Sequence, residues 1–262
     1  MRILIIQHED GTGPGLVGDR LAALGAELDL RHPWNGEDLP ADLSGHDALI
    51  VLGGAQAAYE PIGWWPPVFE LLREAVRRDL PTLAICLGAQ LLAVACGGEV
   101  RRAARSEVGL CTPVRYPTPD DLFDTLPVGA RTVQWHGDEI SVLPDGAVPL
   151  MHCADGFPHQ AYRMGSRVWA VQFHPEVLAA ETRLWSVSDP IIDAEAVLDD
   201  IAAAENELRR VWGAFSERWY ALAADPAIAS AAPAPPAASA ATALSAAPTA
   251  TAGSAATAEP VS

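Results

Sequence analysis

Two patterns of hydrophobic and polar residues alternate along the N-terminal part of the chain. Four short apolar runs have the length of β-strands: RILIIQ, ELDLRH, ALIVLGG and PTLAICLG. Two segments between them repeat their apolar residues with the period of an amphipathic helix: GLVGDRLAALGA and PPVFELLREAVRRD. Strands that alternate with such helices are typical of βαβ units. The pattern therefore predicts an α/β fold built on a parallel sheet.

The pattern changes between about Val100 and Gln172. Short β-rich pieces follow one another with turns between them, among them TVQWH, VPLMHC and RVWAVQFH. We interpret these pieces as added, partly antiparallel strands of the same domain. A segment of helical periodicity follows, from about residue 187 to residue 224. We expect this helical segment to pack on the outside of the sheet.

The last part of the chain differs in composition from the rest. Residues 225–262 are almost wholly Ala, Pro, Ser and Thr. Such a segment cannot bury enough apolar surface to offset the entropy lost on ordering, so we predict a disordered tail. The expected organisation is one domain over residues 1–224, including its helical C-terminal segment, and a tail over residues 225–262.

Charge and hydropathy narrow the classes of partner. The 262 residues carry 17 Lys and Arg against 34 Asp and Glu, a formal net charge of -17. A surface this acidic repels phosphate groups, so neither nucleic acid nor an anionic membrane is an expected partner. No stretch has the length of a membrane span, and MRILIIQHED lacks the features of a signal peptide. We therefore expect a cytoplasmic protein.

The four cysteines are too widely spaced to suggest a metal site. None of Cys86, Cys96, Cys111 and Cys153 belongs to a CxxC pair. We expect no structural zinc and no disulfide framework of the secreted kind. Cys96, Cys111 and Cys153 are interpreted as small buried hydrophobic residues. Cys86 requires an argument of its own.

The glycine-rich stretch GTGPG after the first apolar run is the next candidate motif. It lacks the Gly-Lys-Ser/Thr of a P-loop, and its spacing is not GxGxxG. Pro14 and Gly15 suit a turn that leads into a helix. We interpret the stretch as a structural turn.

Cys86 lies where an apolar strand passes into a helix, in PTLAICLGAQLLA. Small residues, Ala84 and Gly88, flank it two positions away on each side, as a sharp and strained nucleophile elbow requires. The amino end of the following helix favours a thiolate at this position. The strand end also matches the usual place of sites in open α/β sheets. A buried core cysteine is the alternative.

A base and an orienting carboxylate follow another apolar strand, in VWAVQFHPE. In an extended segment residues i and i+2 face the same way, so Glu176 can reach the imidazole of His174 and fix its tautomer. Pro175 restricts the backbone between them. The alternative is a helix start with Pro175 and Glu176 in its first turn, and both interpretations can hold together. His136, in WHGDE, is the nearest competing base.

Paired glycines end the strand ALIVLGG. Gly53 and Gly54 could turn backbone N–H groups toward a ligand, as an oxyanion hole requires. Taken alone, a pair of glycines at this position more often forms a plain turn.

Four blocks taken together resemble the class I glutamine amidotransferases: LGGAQAAYE, PTLAICLGAQLLAVACGG, QWHGDE and VWAVQFHPE. The blocks occur in the order of that family, and the resemblance as a whole extends over most of residues 1–185. The similarity is strongest to stand-alone proteins that resemble the amidotransferase domain of GMP synthase. Ala84 stands where the family commonly has glycine, and it is still small.

The resemblance implies a fold and a set of site residues. The fold is a flavodoxin-like open sheet, mostly parallel with added antiparallel strands, and with helices on both faces. The implied catalytic triad is Cys86, His174 and Glu176, without a metal or a cofactor. Backbone N–H groups around Gly54 and from Leu87 are the implied oxyanion donors. The implied substrate-binding residues are Gly53, Gln90, Trp135, His136, Gly137 and Asp138.

The implied reaction is hydrolysis of the γ-amide of glutamine through a thioester on Cys86. The helical segment and tail carry no nucleotide-binding motif, so the expected ammonia acceptor is a synthetase on a separate chain. A hydrolase of γ-glutamyl peptides or γ-glutamyl amines with the same triad is the alternative. A non-catalytic binding module is disfavoured, because a decayed site would be expected to lose Cys86 or Glu176.

Overall fold

The structure, a computed structural model, describes residues 1–154, 156–188 and 194–225. The strands of the described residues are β1 (Arg2–Ile6), β2 (Glu27–Arg31), β3 (Ala48–Val51), β4 (Thr82–Ile85), β5 (Glu99–Cys111), β6 (Val114–Arg115), β7 (Thr132–Val142), β8 (Val148–Cys153), β9 (Phe157–Met164) and β10 (Val168–Val171). The α-helices of that part are α1 (Gly15–Ala23), α2 (Trp65–Arg78), α3 (Leu87–Ala95), α4 (Ala179–Ser188) and α5 (Ala194–Ala224). Within it, no helix combines the length and the apolar character that crossing a membrane requires. Of the predicted disordered tail, residues 226–262 lie outside the described residues.

The main sheet contains eight strands in the order β2-β1-β3-β4-β10-β9-β8-β6. The neighbours from β2 through β10 pair in parallel. The remaining three strands, β9, β8 and β6, are added antiparallel. This arrangement confirms the predicted parallel sheet with antiparallel additions. It places β4 in the middle of the sheet, between β3 and β10.

A second sheet was not predicted. It pairs the long strands β5 and β7 antiparallel, with Cys111 opposite Thr132 and Glu107 opposite His136. The N-terminal part of β5 is rich in arginine and mostly exposed, so it lacks the apolar alternation by which a half-buried strand is recognised in a sequence. The pairing with β7 supplies the backbone hydrogen bonds that make this polar segment a strand.

Helices cover both faces of the main sheet, because its central strands are apolar on both sides. Along β1, Ile3 and Ile5 pack into one core with residues of α1 and α5. Leu4 and Ile6 face the opposite side and pack with α2 and α3. The predicted C-terminal helix α5 contributes three large buried aromatic residues to the first of these cores: Trp212, Phe215 and Trp219.

The strand order decides where the predicted site residues meet. Strands β3, β4 and β10 are adjacent and parallel, so their carboxyl ends lie at one edge of the sheet. Gly53 and Gly54 follow β3, Cys86 follows β4, and His174 follows β10. Three segments that are far apart in the sequence therefore converge at one place.

The first turn of α3 packs directly against β3. A Cβ atom at Gly88 would lie 2.1 Å from the carbonyl oxygen of Val51, which is backbone and cannot move aside. Close packing therefore requires glycine at position 88. Backbone conformation does not, because the φ angle of Gly88 lies outside the left-handed region.

We expect Gly88→Ala to destabilise the protein by about 1–3 kcal/mol, because the added methyl group overpacks the contact between α3 and β3. Thermal unfolding followed by circular dichroism measures the loss. Gly63→Ala is the matched control, because no atom lies within 4 Å of the position that its Cβ would take. Equal melting temperatures for the two variants would contradict the packing argument.

Candidate active site

Cys86 occupies the single-residue turn between β4 and α3. Its backbone dihedrals are φ 50° and ψ -107°, a region that non-glycine residues rarely adopt. Its N–H donates to the carbonyl oxygen of Val171 at 2.7 Å, and its own carbonyl oxygen accepts the N–H of Gln90 at 3.1 Å. The predicted strained elbow is present, and it presents the Cys86 side chain at the amino end of α3.

His174 and Glu176 form a buried pair beyond the end of β10. The Nδ1 atom of His174 lies 2.8 Å from Oε1 of Glu176, and both side chains are 4% exposed. The imidazole therefore donates its Nδ1–H to the carboxylate, as expected from their i, i+2 spacing. Nε2 of His174 has no hydrogen-bond partner among the described residues, so it is available to a reacting group.

Cys86 and His174 adjoin at the end of β3. A Cβ atom on Gly53 would lie 3.5 Å from Cβ of Cys86 and 3.1 Å from Cε1 of His174. A larger residue at position 53 would crowd the imidazole, because 3.1 Å is shorter than an ordinary contact. Gly53 therefore serves the site by leaving space between Cys86 and His174.

The charge of His174 is stabilised by its two neighbours. Burial lowers the pKa of His174, but the carboxylate of Glu176 and the negative charge of Cys86 more than compensate and raise it to about 10. At neutral pH the imidazole is thus protonated. A protonated imidazole beside a cysteine can serve as a general acid.

Two glutamines connect the sulfur to β7. The side-chain amide of Gln172 donates to Sγ of Cys86 at 3.6 Å, and its oxygen accepts Nε2 of Gln90 at 3.2 Å. The same Nε2 donates to the backbone oxygen of Asp138 at 3.3 Å. Sequence reasoning missed Gln172. Its signal was available, because Gln172 stands two residues before His174 and faces the same way on the extended strand end.

His136 is not placed to serve as the base for Cys86. Its Nδ1 lies 2.9 Å from the backbone oxygen of Asp138, and its Nε2 lies 3.0 Å from Oε2 of Glu107. Both ring nitrogens therefore face oxygen atoms of β5 and β7. His136 still borders the cleft, together with the other predicted substrate-binding residues of β7: Trp135, Gly137 and Asp138.

The two predicted oxyanion donors lie beside Cys86. Leu87 is the first residue of α3, so its N–H has no acceptor within the helix. Gly54 lines the cleft, and its Cβ position would lie 2.6 Å from Oε1 of Gln56 and 3.0 Å from the side chain of Leu87. A side chain at position 54 would crowd Gln56 and Leu87, so the loop lies close to the start of α3.

Glu9 holds the loop that follows Gly54, a contact that the sequence did not indicate. Its Oε1 accepts the N–H of Ala55 at 2.9 Å. Burial raises the pKa of Glu9, while the Ala55 bond opposes the shift. Glu9 thereby fixes the backbone next to the proposed oxyanion donors.

Cys86 and His174 border a cleft of about 590 Å³. Trp185 of α4 borders it, with its ring centroid 4.8 Å from that of His174 and 6.0 Å from that of Trp135. Its Nε1 donates to the backbone oxygen of Gly11 at 3.2 Å, which ties α4 to the loop after β1. Trp185 was not predicted as a site residue, because its sequence neighbours carry no recognisable motif.

The GTGPG stretch is a turn, as predicted, and it contacts the backbone of Glu176. Gly15 has φ 42°, and a Cβ there would lie 2.2 Å from the backbone oxygen of Glu176. That same oxygen accepts the N–H of Leu16 at 2.9 Å. The start of α1 thus holds the backbone of Glu176 from a direction that the sequence did not reveal.

A strained elbow beside a buried His–Glu pair, on this three-layer α/β fold, is an arrangement that suits a cysteine nucleophile. The family model for "Glutamine amidotransferase class-I" matches residues 16–189. The chain belongs to the class I glutamine amidotransferase family. The matched segment contains the elbow and the His174–Glu176 pair, which confirms the resemblance drawn from the four sequence blocks.

Within this family, the chain is similar to glutamine-hydrolyzing GMP synthases. The GMP synthase (glutamine-hydrolyzing) of Porphyromonas gingivalis is 34% identical over 180 residues, which are 68% of this chain and 34% of that protein. One GMP synthase (glutamine-hydrolyzing) subunit, from Methanocaldococcus jannaschii, is 40% identical over 108 residues, 41% of this chain and 56% of that relative. The matched parts thus make up about a third and about half of these relatives.

Solved structures share the whole fold. A glutamine amidotransferase from Methylobacillus flagellatus superposes with a TM-score of 0.76 at 27% identity, over 84% of this chain and 94% of that one. One from Thermotoga maritima gives a TM-score of 0.74 at 27% identity, over 84% and 97% of the two chains. These neighbours confirm the predicted fold class.

We expect Glu176→Gln to lower the pKa of His174 below about 10, because the carboxylate is the first of the groups that raise it. Cys86→Ala should also lower it, by removing the second negative charge. The pH dependence of the His174 ring signals in NMR spectra measures both shifts. Unchanged titration in the two variants would contradict the assignment of an imidazolium held by its neighbours.

The same shift has a consequence for stability. The pKa of His174 in the folded state lies above the ordinary value of 6.5. Its protonation therefore stabilises the fold fully below pH about 6.5 and less as the pH rises toward about 10. Urea unfolding across that range should show the loss in the wild type and a smaller loss in Glu176→Gln.

Proposed function

We propose that the chain hydrolyses the γ-amide of glutamine through a thioester on Cys86. The observation that carries this proposal is the backbone of Cys86 at φ 50°, strained at the start of α3 next to the protonated His174. A core cysteine would have no reason to hold this conformation. Family membership adds the reaction class, and the cleft adds room for the substrate.

The first half-reaction forms the thioester. The thiolate of Cys86 bonds to the γ-carbon of glutamine, and the carbonyl electrons move onto oxygen. N–H donors from Leu87 and the loop at Gly54 stabilise this oxyanion, at about 3 kcal/mol for each well-placed donor. His174 gives its Nε2 proton to the amide nitrogen, the carbon–nitrogen bond breaks, and ammonia leaves.

The second half-reaction releases glutamate. Water bonds to the thioester carbon while the neutral His174 takes one of its protons, and the carbon–sulfur bond breaks. The thioester has no negative charge on sulfur, so one cause of the raised pKa of His174 is absent at this stage. His174 is therefore a better proton acceptor when water attacks than it is in the free enzyme.

The rim of the cleft offers partners for an amino acid substrate. Arg102 and Asp138 both border it, 3.4 Å apart, and present opposite charges. They suit the α-carboxylate and the α-ammonium group of glutamine. Gln90 and the backbone from Trp135 to Asp138 complete the proposed substrate site.

The ammonia is proposed to pass to a synthetase on a separate chain. The relative from Methanocaldococcus jannaschii is named as one subunit of a GMP synthase, and therefore as one part of an assembly. A free ammonia product would be protonated in water and lost as a nucleophile. An acceptor enzyme docked near the cleft would receive it before that happens.

A second candidate function is hydrolysis of γ-glutamyl peptides or γ-glutamyl amines, and the size of the cleft supports it. The cleft of about 590 Å³ extends past Cys86 to the loop at Glu9 and Asp10 and to Trp185. One glutamine fills only part of it. The remaining space could hold a leaving group larger than ammonia, with the same thioester chemistry.

We expect a graded loss of activity when the proposed triad is altered. Cys86→Ala should abolish turnover, because no other group holds the acyl intermediate. His174→Ala should be nearly as severe, because the leaving group then departs unprotonated. Glu176→Gln should cost about 1–4 kcal/mol of transition-state stabilisation, since the carboxylate orients and charges the imidazole. Glutamate release from glutamine, with labelling by a glutamine-analogue electrophile, measures each step.

Two controls accompany this series. Cys96→Ala changes a cysteine outside the site and should leave turnover at the wild-type rate. His136→Ala tests the competing base. Wild-type turnover in Cys86→Ala would refute the catalytic proposal, whereas an inactive His136→Ala beside an active His174→Ala would show that the base is wrongly assigned.

A substrate panel separates the two candidate reactions. We expect kcat/KM for glutamine to exceed that for γ-glutamyl dipeptides and γ-glutamyl amines, with ammonia and amine release measured in the same assays. Higher values for the conjugates would favour the second candidate and leave the proposed thioester mechanism in place.

A further inference from the structure

Two cysteines outside the proposed active site bring their sulfur atoms together. Cys111 ends β5 of the two-stranded sheet, and Cys153 ends β8 of the main sheet. Their Sγ atoms lie 2.6 Å apart. The expectation that both are ordinary buried hydrophobic residues holds only for Cys153, since Cys111 is partly exposed.

The geometry favours a covalent cross-link over a metal ion. Glu107, Cys111 and Cys153 place three ligand atoms within 4.8 Å of one another. A structural zinc site needs four ligands, and two thiolates on one tetrahedral zinc lie about 3.7 Å apart at the usual bond length. The two sulfurs, 2.6 Å apart, are closer than that and nearer to the bond length of a disulfide, about 2.0 Å.

The two thiols differ in reactivity. The pKa of the Cys153 thiol lies well above its ordinary range. The causes are its hydrogen bond with Cys111, its burial and the nearby carboxylate of Glu107. Cys153 is also shielded from solvent, at 4% exposure. Cys111 is the more exposed residue of the pair, so an oxidant meets it first.

We propose that Cys111 and Cys153 form a reversible disulfide that joins the two sheets in response to oxidation by a low-molecular-weight disulfide. The thiolate of Cys111 attacks one sulfur of the oxidant and expels one thiolate. Cys153 then loses its proton and attacks Sγ of Cys111, which expels the second thiolate. Two protein thiols are oxidised, and one oxidant disulfide is reduced to two thiols.

The cross-link fixes one wall of the cleft. Ser106 and Val108 of β5 border the cleft, five and three residues before Cys111. Between them, Glu107 accepts hydrogen bonds from Gln160 of β9 at 2.6 Å and from His136 at 3.0 Å. A bond between β5 and β8 therefore restrains the segment that carries these contacts.

Peptide mapping of the full chain tests the bond directly. After incubation with oxidised glutathione and blocking of free thiols, trypsin separates the cysteines: Cys111 falls in residues 106–115, Cys153 in residues 132–163, and Cys86 and Cys96 together in residues 79–101. We expect the first two peptides to be recovered as one linked species, with a mass two hydrogen atoms below the sum of their separate masses. A reductant should separate them again. Recovery of both only as separate peptides overturns the proposal.

Matched variants test the consequence for the fold. The oxidised wild type should melt several degrees higher than the reduced form, and its β5 and β8 amides should exchange more slowly. Cys111→Ser and Cys153→Ser should each lose both differences, and Cys96→Ser should keep them. Circular dichroism of the reduced variants shows that they fold. Equal melting temperatures in the two redox forms of the wild type would overturn the proposal. So would one zinc ion bound per wild-type chain that the Cys111→Ser variant does not bind.

Discussion

The strained backbone of Cys86 is the constraint on which the rest of the site depends. One residue turns the chain from β4 into α3, and the first turn of α3 packs against β3. Gly88 permits that contact because it has no side chain. A Cβ atom at this position would lie 2.1 Å from the backbone oxygen of Val51. The hydrogen bond from Cys86 to Val171 ties the same residue to β10. The three strands that carry the site residues therefore meet at the elbow.

The buried charges follow from this arrangement. An isolated imidazolium buried as deeply as His174 would lose its proton, because desolvation disfavours the charged form. Glu176 and Cys86 reverse the sign of the shift and raise the pKa of His174 to about 10. In the proposed reaction the thioester would carry no charge on sulfur, so that one imidazole would act first as an acid and then as a base.

Elements outside the motifs hold the site in place. Gly15 at the start of α1 contacts the backbone of Glu176, and Trp185 of α4 packs on the ring of His174. Glu9 binds the loop after Gly54. The polar strand β5 forms another wall of the cleft, and its last residue, Cys111, lies against Cys153 of the main sheet. These contacts connect the site to both sheets, to α1 near the start of the family match and to α4 near its end.

Local chemistry in the sequence determined the parallel strands, the helices beside them, the elbow at Cys86 and the His174–Glu176 pair. Each depends on residues a few positions apart, through apolar periodicity, small flanking residues or i, i+2 spacing. The tertiary structure alone decided that β4 lies between β3 and β10, that β5 pairs with β7, and that Trp185 and Glu9 adjoin the site. Those outcomes depend on packing between segments far apart in the chain, and a contact of that kind leaves no periodic or local trace in the residues that make it.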